Sequence, residues 1–228
     1  MANTDVSGPV NPPDLSATAT LSSTLVDNED GAPSIAVVPA YRGLGDPVKQ
    51  IIVRQMDRSG NTLALALEPL SDDEFYAENA NGFSAAWAVG HLACVYDLFS
   101  SWFNDRRLLF DPSFHKVFNE TEVVGPDSVS KAASVDRDSH PKAILLLRLR
   151  QAHVRALQVL SAFDAAQWDA PAPRTAPAVL PTCGSVWEHL AVHTYWHLGE
   201  LAGSMPRFFG TYTLNIVPHH FYPPPESW

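Results

Sequence analysis

Three histidines recur at four-residue steps in Glu188-His189-Leu190-Ala191-Val192-His193-Thr194-Tyr195-Trp196-His197-Leu198-Gly199-Glu200. On an α-helix, side chains four apart lie one above the other. A His pair at that spacing can aim two imidazoles at one ion, and neutral imidazole is a good ligand for Zn, Ni, Cu and Fe(II). Four residues turn a helix by about 400°, so the row drifts by roughly 40° per step. Two ligands from this helix are therefore easier to bring together than three. On spacing alone, His189/His193 and His193/His197 compete. A single His on an apolar face is ordinarily a hydrogen-bonded core residue. A pair facing a core needs something to satisfy its ring nitrogens, and an ion is one way to do it.

A further histidine, His91, sits in Ser84-Ala85-Ala86-Trp87-Ala88-Val89-Gly90-His91-Leu92-Ala93, an otherwise apolar run. By itself His91 reads as structural. Gly90 beside it permits a neighbouring helix to come close. Trp87, one turn earlier, can wall a site, as can Tyr195 and Trp196. Cys94, three residues after His91, offers a fourth ligand or a redox-sensitive thiol; its plainer role is a small buried apolar residue. His219 and His220 are adjacent and so do not share a helix face.

These residues must be held by helices, and the sequence predicts four, near 46–68, 84–104, 140–163 and 185–204. Asp46 caps the first, with Pro47 at its first position. Its core face is Ile52, Met56, Leu63 and Leu67; Gly60 interrupts the middle and Pro69 ends it. The second runs from Ser84 through Trp87, His91, Val95, Leu98 and Trp102 to Asn104-Asp105. The third follows His140-Pro141 with a stripe of Leu145, Leu149, Ala152, Ala156, Leu160 and Phe163 at steps of three and four. The fourth opens on Ser185-Val186-Trp187-Glu188, a capping-box pattern, reaches Gly203 and is stopped by Pro206. The second and third helices are joined by roughly 35 residues. That is long for a bundle, and it is the length a crossover needs when two neighbouring helices run parallel. With no alternating strand pattern, an all-α four-helix bundle is the economical fold.

The 228 residues suit about one domain once a polar leader is set aside. Residues 1–40 are rich in Ser, Thr, Pro, Asp and Asn and are expected to form a disordered leader, with a short extended piece at Ile35–Val38. Residues 41–205 hold the bundle. Residues 206–228 form an aromatic, Pro-rich C-terminal extension expected to pack on the bundle or on a partner chain. The formal net charge of −10, with no dense basic run, argues against nucleic acid as a partner. The N-terminus lacks the basic region and apolar stretch of a secretory signal, and no run of about 20 apolar residues could span a membrane. Two isolated cysteines make no disulfide scaffold. The expected location is the cytoplasm.

The stretch Trp87-x-x-Gly90-His91-Leu92-Ala93 on the second helix and His193-x-x-x-His197-Leu198-Gly199-Glu200-Leu201 on the fourth together resemble the DinB/YfiT-like superfamily. Its members are metal-binding four-helix bundles of up-down-down-up topology. The resemblance implies a metal triad of His91, His193 and His197, one from helix 2 and two from helix 4. The Gly two residues after the last ligand sets that register, which leaves His189 outside. Glu200 stands where many relatives have Gln, and it is a candidate catalytic group or an acceptor behind the ligands. Trp87, Cys94 and Trp196 are the candidates for a cofactor pocket.

Three nitrogen ligands leave coordination positions open to a thiol, water or substrate, whereas a structural zinc is normally closed by four protein ligands. By resemblance, the expected activity is that of a metal-dependent enzyme of transferase, isomerase or hydrolase type acting on a small molecule. It would use one divalent Zn, Ni or Fe ion and a low-molecular-weight thiol. The alternative is a non-catalytic bundle, associated with stress response, that binds a metal or a small molecule. A homodimer is expected in either case.

Overall fold

The computed structural model describes residues 46–79, 82–119, 134–173, 176 and 178–204. The leader with Ile35–Val38, and the tail with His219 and His220, lie outside the described residues. The described chain is helical: α1 (Pro47–Leu67), α2 (Asp72–Tyr76), α3 (Ala85–Ser101), α4 (Pro112–Asn119), α5 (Lys142–Ala162) and α6 (Cys183–Ser204), with one 3₁₀ turn at Ala165–Gln167. Among the described residues the only strand-like pairing is an isolated bridge between Pro171 and Thr182. The four long helices α1, α3, α5 and α6 coincide with the four that the sequence predicts. The short helices α2 and α4 were not foreseen; both lie in connections where period and length give little signal.

Local chemistry sets the helix ends. Asp46 Oδ1 accepts from the Lys49 amide at 3.0 Å, with Pro47 leading the helix. Ser84 Oγ accepts from the Trp87 amide at 3.1 Å. The cap of α6 differs from the one the sequence suggests. The reciprocal pair is Thr182 with Ser185, in which the Ser185 amide donates to Thr182 Oγ1 (3.1 Å) and the Thr182 amide to Ser185 Oγ (3.0 Å). A Ser at the third position can answer a Thr cap as a Glu would, so α6 starts one turn early, at Cys183. α3 stops at Ser101, before Asn104. Asp105 and Arg106 then both take left-handed backbone, with φ of 48° and 56°. That reversal brings the Leu109 and Phe110 amides onto the buried Asp97 carboxylate.

The predicted stripes of the first and third helices, now α1 and α5, lie in the core. Ile52, Met56, Leu63 and Leu67 of α1 are buried, as are Leu145, Leu149, Ala152, Ala156 and Leu160 of α5 with Phe163 beyond its end. α3 packs most heavily on α5 and also on α6, and α1 packs on α6 and α5. Buried Lys49, at the start of α1, donates to the carbonyls of Ser161 (2.6 Å) and Phe163 (2.7 Å) at the end of α5. These are last-turn carbonyls without helical partners. At the other end, Lys142 donates to the Glu68 and Leu70 carbonyls. Tyr96 of α3 meets His153 of α5, and Phe103 after α3 meets Phe163 after α5. His91 of α3 faces His193 and His197 of α6, while Phe99 lies against His189.

Gly60 earns its place mid-helix by what lies over it. A Cβ there would sit 2.5 Å from the His153 ring. His153 Nε2 donates to the Met56 carbonyl at 2.9 Å. Burial pushes the His153 pKa down to about 4. The unfolded chain therefore takes up a proton here as pH falls through about 6.5, and the folded chain refuses it until about 4. Stability is lost across that window as pH falls, by on the order of 3 kcal/mol from this residue. Urea midpoints measured from pH 7 to 4.5 should fall less steeply for His153→Gln than for the wild type. Parallel profiles would reject the assignment.

Candidate metal centre

α3 is apolar almost throughout and nearly all of its side chains are buried. His91 is thereby carried deep into the interior, where its charged form is poorly solvated. On the facing side, α6 presents His193 and His197 one turn apart. The three rings converge: one nitrogen from each of His91, His193 and His197 lies within 4.8 Å of the others. The two α6 rings approach at 2.9 Å through their Nε2 atoms. His189 and Cys94 are not in this cluster.

Hydrogen bonds behind two of the rings set their tautomers. His91 Nδ1 lies 2.9 Å from the Phe118 carbonyl, which can only accept, so Nδ1 carries the proton. His197 Nδ1 likewise donates to Glu200 Oε2 at 2.7 Å. In a neutral ring with Nδ1 protonated, Nε2 is left as a lone pair. Among the described residues His193 has no such support, and its buried Nδ1 has no hydrogen-bond partner there. Two imidazole nitrogens 2.9 Å apart, one of them a lone pair, need a proton or a cation between them. Ligands bound at about 2.0–2.1 Å around a tetrahedral ion sit roughly 3.3 Å apart, close to the spacing of the α6 pair. The donor set thus fits a divalent ion of the kind imidazole prefers.

Electrostatics points the same way. Burial, reinforced by the neighbouring His197, pushes His91 down to about 4. Burial first, then His197 and His91, pushes His193 down to about 2. These rings stay neutral, as ligands must be. Glu200 is held below the usual carboxylate range, mainly by its bond to His197.

The other predicted residues fall around this centre in distinct places. Trp87 stacks flat on His91, with centroids 4.8 Å apart and planes 7° apart. Glu200 stands behind His197, and its second oxygen accepts from Trp196 Nε1 at 2.9 Å. The Trp196 ring itself is largely exposed. Cys94 is buried with Sγ toward the Phe114 carbonyl of α4, 3.9 Å away, and burial pushes its thiol pKa upward. Trp87, Cys94 and Trp196 thus contact different neighbours: the His91 ring, the Phe114 carbonyl and Glu200. His189 stands one turn before His193, its ring 4.8 Å from that of His193 and 5.6 Å from that of Phe99. Phe118 was missed because it acts through its backbone carbonyl, which side-chain patterns do not report. The one sequence hint was Gly90 beside His91: a Cβ there would lie 2.2 Å from the Phe118 ring.

No curated protein matches the chain. A family model described as the DinB superfamily matches residues 55–201, nearly two thirds of the chain. The matched span contains α3, most of α6 and all three converging histidines, so the chain belongs to the DinB superfamily.

Proposed function

We propose that this chain is a metal-dependent enzyme of the DinB-like class, with His91, His193 and His197 as the ligands of one divalent ion. The observation that carries the reading is the convergence of three ring nitrogens, two of them with their Nδ1 protons already committed to acceptors on the far side. An ion held by three nitrogens keeps positions open, and it would ease proton loss from a thiol or water bound there. The chain's own residues orient the ligands: the Phe118 carbonyl and Trp87 for His91, and Glu200 for His197. In this reading Glu200 is a positioning residue, because one oxygen holds His197 and the other is held by Trp196.

The scaffold proposed for this site is an up-down-down-up bundle. The order of contacts supports it: α1 meets α5 end to start, α3 meets α5 in the same sense, and α3 meets α6 in the opposite sense. An experimental structure with α3 and α5 antiparallel would overturn it.

Elemental analysis of full-length protein, purified without an affinity tag and without added metal, tests the site. Close to one equivalent of Zn, Ni or Fe per chain is expected. Less than a tenth of an equivalent after incubation with each of these ions and desalting would refute the proposal.

A further inference from the structure

We propose that α4 is the outer support of this metal centre, and that Gly90 and the Phe118 carbonyl are the elements through which it sets the position and tautomer of His91. The inference rests on the metal reading of the triad. Three successive turns of α3 hold α4. Gly90 takes the Phe118 ring, Cys94 Sγ lies against the Phe114 carbonyl, and Asp97 Oδ2 accepts from His115 Nε2 at 3.0 Å. On its other side, the Arg148 guanidinium lies over the Phe114 ring at 4.2 Å, and the His140 ring meets Phe118 at 5.1 Å.

Phe118 is the penultimate residue of α4. Its carbonyl is one of the last-turn acceptors that no helical amide can satisfy, and it sits at the negative end of the helix dipole. The His91 Nδ1 proton satisfies it at 2.9 Å. A donor committed to that carbonyl leaves His91 one remaining nitrogen, Nε2, for the other two rings. Such outer partners fix ring orientation and raise ligand basicity, and losing one typically costs ten- to a hundredfold in metal affinity. Gly90 is what allows the carbonyl to come this close, since any side chain there drives the Phe118 ring away.

The test compares zinc affinity, by competition with a chromophoric chelator, in the wild type, Gly90→Ala, Phe118→Ala and Gly60→Ala. Gly60→Ala is the control: its Cβ would press on the His153 ring, between α1 and α5, rather than on α4. Gly90→Ala is expected to lose roughly ten- to hundredfold in zinc affinity. Phe118→Ala, which keeps the carbonyl but loosens its hold, should lose several-fold, and it replaces Gly90→Ala if that variant does not fold. Gly60→Ala should melt earlier and keep its zinc affinity. Nitrogen-15 spectra of the histidines should show His91 protonated at Nδ1 in the wild type, with and without zinc, and a mixture of tautomers in Gly90→Ala. Unchanged affinity in Gly90→Ala and Phe118→Ala would overturn the inference and leave the metal site standing. Equal loss in all three variants would overturn it as general destabilisation. A wild type that binds no zinc, nickel or iron would remove the metal reading and this inference together.

Discussion

Replacing His193 by Ala is expected to strip the protein of most of its bound metal. Only two imidazoles would remain, His91 from α3 and His197 from α6, and two rarely hold a divalent ion against buffer ligands. His193 is the ring whose Nε2 lies 2.9 Å from that of His197 and whose Nδ1 is buried without a partner among the described residues. Its removal also deletes a group that burial and the neighbouring histidines keep uncharged. A bound ion stabilises the fold by mass action, by about 2.7 kcal/mol at a concentration a hundred times its Kd. Added zinc should therefore raise the melting temperature of the wild type and leave that of His193→Ala unmoved. His91→Ala and His197→Ala should behave alike. His189→Ala should keep its metal and its zinc-dependent stabilisation, because that ring stands outside the cluster. Retention of metal by His197→Ala together with its loss in His189→Ala would show that the ion uses the other register of the row.

The second large effect is on stability alone and is expected at Asp97. This carboxylate is fully buried on α3 and gathers five contacts. The Leu109 amide donates to both oxygens (2.8 and 3.1 Å), the Phe110 amide to Oδ2 (3.1 Å), His115 Nε2 to Oδ2 (3.0 Å) and Arg155 to Oδ1 (3.2 Å). Asp97→Ala would leave a mostly buried guanidinium and two amides without their acceptor. Breaking a buried pair on one side typically costs about 3–5 kcal/mol. For a domain of this size, 1 kcal/mol corresponds to about 2–4 °C, so the melting temperature should fall by roughly 10 °C or more. Asp97→Asn retains an acceptor oxygen for the amides and should fall between the two. A change in melting temperature under about 2 °C in Asp97→Ala would show that the α3–α4 connection does not depend on this node.

The placement of the long helices was legible in the sequence because local rules govern it. Asp46-Pro47 and Ser84 are caps whose bonds close within three residues, and the stripes on α1 and α5 repeat with the helical period. The spacing of His189, His193 and His197 likewise sets them in one row along a single helix. What spacing could not decide was which two of the three face His91. A four-residue step drifts by roughly 40°, so the choice depends on where another helix places its own ring. That helix is α3, about 100 residues earlier in the chain, and His91 meets the rings of His193 and His197. The supports behind the rings were hidden for a related reason. The Phe118 carbonyl is backbone, identical in every residue type, and becomes an acceptor for His91 only when α4 folds across Gly90. Asp97 reads in sequence as an ordinary helix carboxylate, and its partners at 109, 110, 115 and 155 are brought to it by the reversal at Asp105-Arg106 and by the docking of α5. Short-range hydrogen bonding and hydrophobic period thus determined the helices and the candidate ligands. The register of the triad and the tautomer of His91 were decided by tertiary packing, because each depends on a contact between segments that only the folded chain brings together.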